Sequence, residues 1–565
     1  MKKSFIYLFF GLCFTVGLTS CSKKMSSLPA NYFSVTPQPL EVVNNQIDVS
    51  ISGNIPPKYF LKDAKLSFTP ILRHAYGEIA GETFTFQGEN VAGNDKTISY
   101  EKGGNIQLNT SFKYRKELAS CELFLQIKMN RNGKKSEMPL IKIGEGVIAT
   151  SMLATPLAAT PAIAPDKFQR IMKEKRDASI LFIIQQANLR SGELNKDEIK
   201  ALHKAIEAAS KAENQRVSEL EISSYASPDG GIDLNERLAA DREKNTVAYM
   251  QKEMSKNAIY APVDAHYTAQ DWEGFKELVE KSNIQDKDII LRVLSMYSDP
   301  EQREREIKNI SVTYRDLANQ ILPQLRRSRL TATIETIGKS DEQISSLAAS
   351  NPKSLTIEEL LYAASLEKEP DDKAVVYRIT SELYPNDYRS FNNLGALLFQ
   401  NGEMPEAVEM FSKAHRLNPS APEANMNNGL IALSNNKTTE AQEFFGKSSG
   451  VPELGAVMGL LYTQTGNYSQ AVNAYGNEKN NNAAVAQILA KDYNKAQATL
   501  LDVQNKDAVT DYLMAIVGAR TNNASVVINS LRDAISKDSS LAKKAASDME
   551  FYKYFKSEAF LHIVK

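Results

Sequence analysis

Residues 221–250, EISSYASPDGGIDLNERLAADREKNTVAYM, hold the polar side chains whose spacing best suits capture of a ligand. Ile222 and Tyr225 read as a strand, and Ser227-Pro228-Asp229-Gly230-Gly231 as a tight turn. From Asn235 onward, Leu238, Ala239, Val247 and Met250 fall on one helical face. Arg242 follows Asn235 by seven residues, two helical turns, so amide and guanidinium point toward the side of the preceding turn. Strand, turn and helix thus assemble a small polar pocket from Ser227, Asp229, Asn235 and Arg242. Read without any ligand, the same residues make Arg242 an ion-pairing helix residue and Asn235 an N-terminal cap.

These residues resemble the peptidoglycan-binding domain at the C-terminus of OmpA-like proteins. In that family a strand ends in Thr-Asp before a Gly-containing loop, followed by Asn, Leu-Ser and an Arg heading the long helix. Gly230, Asn235, Leu238 and Arg242 keep that order, with Ala239 in place of the Ser. The resemblance implies that Arg242 holds a carboxylate of the cell-wall diaminopimelate by a bidentate, charge-assisted contact. Ser227 stands where the family places its Asp, and a neutral hydroxyl cannot supply the counter-charge for the ligand's ammonium group. Asp229, two residues on, is the available substitute. The Ala-Ser-Pro-acid-Gly version is similar to a variant found in Bacteroidales envelope proteins.

A second reactive position lies near the start. Lys2 and Lys3, an apolar run over residues 5–18 and Leu18-Thr19-Ser20-Cys21 read as an export signal. Leu, two small residues and Cys resemble the bacterial lipobox, which implies removal of residues 1–20 and attachment of diacylglycerol to the Cys21 thiol. The apolar run is short for a membrane span, whereas several acyl chains anchor firmly. The expected location is the outer membrane, facing the periplasm. Of three cysteines, Cys13 leaves with the signal and Cys21 is lipidated, so Cys121 stands alone and no disulfide framework is expected. With 67 Lys and Arg against 68 Asp and Glu there is no basic field for nucleic acid.

A chain of 565 residues divides into several domains. Residues 21–32 read as a polar tether. Ile47, Val49 and Ile51, and the longer series Cys121, Leu123, Leu125, Ile127 and Met129, alternate with polar residues, and Asn132-Gly133 signals a type I′ hairpin turn toward Leu140-Ile141-Lys142-Ile143. Residues 33–148 are therefore expected to form a β-sandwich, with Cys121 on its buried face. Pro156, Pro161 and Pro165 among Ala and Thr mark 149–166 as an extended linker. Residues 167–340 are read as the α+β OmpA-like domain, with a helical insertion over about 270–325 in which Trp272 anchors the packing.

From about 354 the chain repeats itself. Phe391, Leu394, Gly395, Leu398, Ala407, Phe411, Ala414 and Pro419 fit the tetratricopeptide pattern, and Gly429, Ala441 and Phe445 recur about 34 residues on. Small residues occur where the two helices of a repeat touch. The resemblance implies an all-α solenoid of five or six helix pairs over 354–565, capped by residues 551–562. Its concave face should carry Arg389, Asn392, Asn393 and Phe399 in one repeat and Met426, Asn427 and Leu430 in the next. Amides there can pair with the backbone of an extended partner.

No catalytic constellation is visible. Residues 441–448, AQEFFGKS, satisfy a loose phosphate-loop pattern, but Ala441 and Phe445 are packing positions of a repeat helix. The five histidines are scattered, without HExxH or a CxxC pair, and no GxSxG elbow occurs. No cofactor is expected. The readings together imply a lipid-anchored envelope scaffold that binds peptidoglycan and recruits an envelope protein. The alternative is an assembly factor for surface structures or secretion whose OmpA-like domain has lost wall binding.

Overall fold

Alternation dictates the first domain. Ile47, Val49 and Ile51 on one strand and Leu123, Leu125 and Ile127 on another are buried in one apolar cluster, because every second residue of a strand points to the same face. A computed structural model describes residues 25–565. The expected signal peptide, Cys21 and the start of the tether lie outside the described residues. The chain divides into two units, one of residues up to Pro165 together with Tyr377–Lys565, the other Asp166–Val376.

In the first unit, two sheets enclose the cluster as a β-sandwich. One sheet pairs Gln46–Ile55 with Phe33–Thr36 and Leu40–Val43 on one side and with Gly104–Lys113 on the other, and Val147–Ile148 joins Leu40–Val43. The second is centred on Ala64–His74 and Cys121–Arg131, antiparallel over their whole length. Asn132 and Gly133, at φ 50° and 80°, form the turn from Cys121–Arg131 into Lys134–Glu137. Positive φ at both positions is what a type I′ turn requires. The return along Cys121–Arg131 then comes in two pieces, since Ile141–Glu145 pairs with the same strand beyond Lys134–Glu137. Cys121 is buried, and burial pushes its thiol up to about 12.

The same unit contains antiparallel helix pairs, Tyr388–Gln400 with Met404–Leu417, Pro422–Ser434 with Thr438–Phe445, Leu454–Gln464 with Tyr468–Tyr475, Asn481–Leu489 with Tyr493–Asp502, and Ala508–Arg520 with Ala524–Lys537. Glycine makes the pairs possible. A Cβ on Gly395 would stand 2.8 Å from the ring of Phe411, and one on Gly459 would stand 2.6 Å from the ring of Tyr475. The same glycine–aromatic contact joins Gly429 to Phe445. This is a tetratricopeptide-type array, and Phe551 and Phe560, both buried, close its end against Tyr512. Ala441 and Phe445 are buried in a repeat helix, so Gly446-Lys447-Ser448 is a helix end rather than a phosphate cradle.

The second unit is α+β. Its sheet runs in the order Ile171–Leu181, Arg327–Ile337, Gln215–Tyr225, Val263–Thr268, with the last two parallel and the other pairs antiparallel. Helices Asp197–Lys211 and Ile232–Lys256 cover one face through Ile199, Leu202, Ile206 and Met250. Between Val263–Thr268 and Arg327–Ile337 lie the helical segments Trp272–Lys281, Lys287–Met296 and Pro300–Asn309 and the stretch up to Leu325, with an apolar core of their own. Trp272 packs edge-on to Phe275 in that insertion. Helix Ile357–Leu366, expected to open the repeats, belongs to this unit, where Tyr362 stacks on Phe168 at 4.4 Å.

Candidate functional site

The turn and helix of the second unit do bring Ser227, Asp229, Asn235 and Arg242 together, but as a closed network. Asn235 donates to the carbonyls of Ser227 and Gly230 at 3.0 and 2.9 Å, fixing the turn from inside. Arg242 is 1 % exposed and donates to three backbone carbonyls, Tyr225 at 2.8 Å, Gln186 at 3.0 Å and Ile183 at 3.4 Å. Its guanidinium lies over the ring of Phe182. Burial, reinforced by Arg326 and opposed by Asp229, lowers its pKa to about 10, so it remains charged at neutral pH.

The geometry therefore departs from the expectation that Arg242 faces a ligand carboxylate. A buried cation needs donors matched by acceptors, and carbonyls of the same unit supply them. Asp229 is likewise engaged. Arg326, at the exit of the insertion, donates from Nε to Ser227 Oγ and from Nη2 to Asp229 Oδ2, both at 3.1 Å, and Ser227 donates to Asp229 Oδ1. Neighbouring Arg327 pairs with Asp271, which caps the first helix of the insertion through the Gly274 N–H. Between Pro228, Asp229, Trp272 and Tyr314 remains a void of about 10 Å³, room for about one water. The insertion closes the site that the turn and helix would otherwise leave open.

The second expected site, the concave face of the repeats, is also filled. Residues 155–164 of the first unit run along it, Pro156–Ala158 as a short 3-10 helix and the rest without helix or strand. Asn427 accepts from the Ala162 N–H and donates to the Ala162 carbonyl, both at 2.8 Å. Asn393, thirty-four residues earlier, does the same for Ala164 at 2.8 and 2.9 Å. Asn482 does so for Thr155 at 3.0 and 2.9 Å. Asn392 adds a donor to the Ala162 carbonyl and accepts from Asn427. An amide carries an acceptor and a donor side by side, so it can match both groups of one extended residue. Asn427 and Asn393 of successive repeats thus engage residues two apart, which an extended chain turns to the same side, whereas Asn482 meets Thr155 outside that period.

The segment read as a free linker is thus a strap. Ala162 and Ala164 are buried while Ile163 between them is 45 % exposed, the alternation of an extended chain lying on a surface. Ala154 and Ala162 join the apolar core of the array with Met426, Leu430 and Leu460. At its start, Ser151 donates to the Val42 carbonyl of the sandwich, and Thr150 donates to Glu550, which Arg520 clamps at 2.6 and 2.8 Å. Of the expected groove residues, Asn392, Asn393 and Asn427 meet the strap directly, and Met426 and Leu430 share its core. Phe399 instead packs on Phe411 within its helix pair, and Arg389 pairs with Asp387.

Arg326, Asn482 and Glu550 were not singled out by sequence reasoning. Arg326 had no signal, because its partners Ser227 and Asp229 lie far away in sequence. Asn482 had none, because its repeat is too short to keep the register of Asn393 and Asn427.

No protein-family model and no curated protein matches the chain. Among solved structures, a tetratricopeptide repeat protein from Parabacteroides merdae aligns with 52 % of this chain and 98 % of its own at 13 % identity, with a TM-score of 0.25. PilW, a type IV pilus biogenesis factor, aligns with 40 % of this chain and 98 % of its own at 13 % identity and 0.27. PilF of Pseudomonas aeruginosa aligns with 38 % and 98 % at 14 % identity and 0.26. At such scores the repeat architecture rests on the helix pairing and glycine–aromatic contacts described above.

Proposed function

We propose that this chain is a lipid-anchored envelope scaffold serving the assembly of surface structures or secretion, and that its α+β unit is a platform for a protein partner rather than a reader of peptidoglycan. One observation carries the choice between the two readings of that unit. The cation that would grip a cell-wall carboxylate is 1 % exposed and engaged by three carbonyls, and the acid beside it is held by Arg326. A ligand would have to break these contacts before gaining its own.

The scaffold reading gives the repeats the same character. Their amide ladder is already occupied by residues 155–164, so a protein recruited by the array meets its outer surface. Strap, sandwich and repeats then act as one body that presents partner surfaces at fixed separations. Anchoring through Cys21 at the outer membrane completes this reading and rests on the sequence alone.

Co-sedimentation with purified peptidoglycan tests the proposal. The wild-type chain is expected to stay in the supernatant at all salt concentrations. Binding that is lost in Arg242→Ala, with the variant still folded, would restore the wall-anchoring reading.

A further inference from the structure

The two outer faces of the β-sandwich differ in chemistry. The face built on Ala64–His74 and Cys121–Arg131 is crossed by ion pairs, among them Lys65–Asp95, Arg73–Glu78, Lys128–Glu137 and Lys142–Glu122. The opposite face, built on Phe33–Thr36, Gln46–Ile55 and Gly104–Lys113, presents mostly neutral amides and hydroxyls from its strands. In register across it stand Thr36, Ser50 and Asn109, then Ser34, Ser52 and Gln107, then Asn54 and Asn105. All are exposed or half-buried. Toward the other end come Asp48 with Ser111 and Gln46 with Lys113, and Glu82 and Lys96 flank the rows, so two acids and two cations border the track.

Alternation explains why these positions are polar. It does not explain why amides and hydroxyls replace the ion pairs of the other sheet. They bond one another across the strands: Ser50 to Asn109 at 2.9 Å, Ser52 to Gln107 at 2.6 Å, Gln107 to Ser50 at 2.6 Å and Ser111 to Gln46 at 3.2 Å. Two shallow depressions of about 480 and 560 Å³ follow the rows. The track ends at Gln46 and Lys113 in a cleft of about 480 Å³ walled by Asn44, Asn45, Asn435, Asn436 and Gln464. The Oε1 atom of Gln464 is buried there without a hydrogen-bond partner.

We propose that this face and its terminal cleft bind an uncharged glycan chain. Sugar hydroxyls donate and accept at the same atom, and Ser, Thr, Asn and Gln are the neutral side chains that can answer both functions. A nucleic acid or another polyanion would need a basic track. An extended peptide would add to a sheet edge rather than lie across its face. The ten-residue strand spans about 33 Å at ~3.3 Å per residue, a length that suits a polymer rather than a single sugar.

Native affinity electrophoresis of the purified chain, in gels containing dextran, mannan or soluble starch, tests this. Polygalacturonate serves as the charged counterpart. Retardation by at least one neutral polymer and not by polygalacturonate is expected. The triple variant Ser50→Ala, Gln107→Ala, Asn109→Ala should bind about tenfold more weakly, the loss of one to two hydrogen bonds, with an unchanged melting temperature. Gln107→Lys with Asn109→Lys, which charges the exposed track without touching the core, should reduce retardation as well. The proposal is overturned if none of the three neutral polymers retards the chain, if polygalacturonate does so equally, or if both variants bind as the wild type does.

Discussion

Truncating Asn427 to alanine removes the acceptor that holds the N–H of a strap residue. Asn427 is fully buried, and its Oδ1 is the acceptor for the Ala162 N–H at 2.8 Å. Ala162 is itself 0 % exposed, so the orphaned N–H has no water to turn to and costs about 1–3 kcal/mol. The Ala162 carbonyl suffers less, because Asn392 still donates to it at 2.9 Å. Adding about 0.5–1 kcal/mol for the lost donor gives about 1.5–4 kcal/mol in all. For a unit of this size that corresponds to roughly 2–6 °C in melting temperature. Asn427→Asp keeps the acceptor but sets a buried carboxylate oxygen against the Ala162 carbonyl and Asn392 Oδ1, so it should cost at least as much as the alanine. Calorimetric melting of both variants, with elastase cleavage within 149–165 as a second readout, makes the measurement. An Asn427→Ala chain with unaltered melting and an equally resistant strap would refute the account.

Four other outcomes follow from the geometry. Arg242→Lys should destabilise the α+β unit by about 1.5–3 kcal/mol, since a point charge cannot serve three carbonyls around a planar fork, and urea unfolding would show it. Gly395→Val should cost about 1–3 kcal/mol of array stability by driving a side chain into Phe411, again read by melting. In the native chain Cys121 should resist Ellman's reagent at pH 8, because a thiol whose pKa is raised to about 12 is almost wholly protonated there; rapid labelling before denaturant is added would contradict its burial. Cys21→Ala should leave the chain unprocessed or free of the membrane fraction, and normal processing with membrane retention would remove the lipoprotein reading.

Local patterns in the sequence foretold much of this architecture. The alternation at Ile47, Val49 and Ile51 required a strand with one buried face, and Asn132-Gly133 could form only a turn with two positive φ angles. Gly395 and Phe411 identified a helix pair because their complementary sizes recur about one repeat later in Gly429 and Phe445. Contacts between distant segments were not legible. Arg326 meets Asp229 across 97 residues of sequence, and nothing near Ser227 announces that an insertion will return to cover it. The strap is the clearest case. Its alanines and prolines have no helical or apolar periodicity, and it is held by its backbone, which every residue shares, so a Pro/Ala/Thr stretch reads as a linker. The asparagines were visible as backbone readers, but what they read was not.

The central claim is that both places suited to receive a partner are occupied by the chain itself, and hydrogen exchange across residues 150–165 tests it most directly. Bonded to Asn427 and Asn393 and excluded from solvent, the amides of Ala162 and Ala164 should exchange as slowly as those in the repeat helices. Exchange of that segment within seconds, at the rate of an unstructured peptide, would show the groove to be open and would contradict the account.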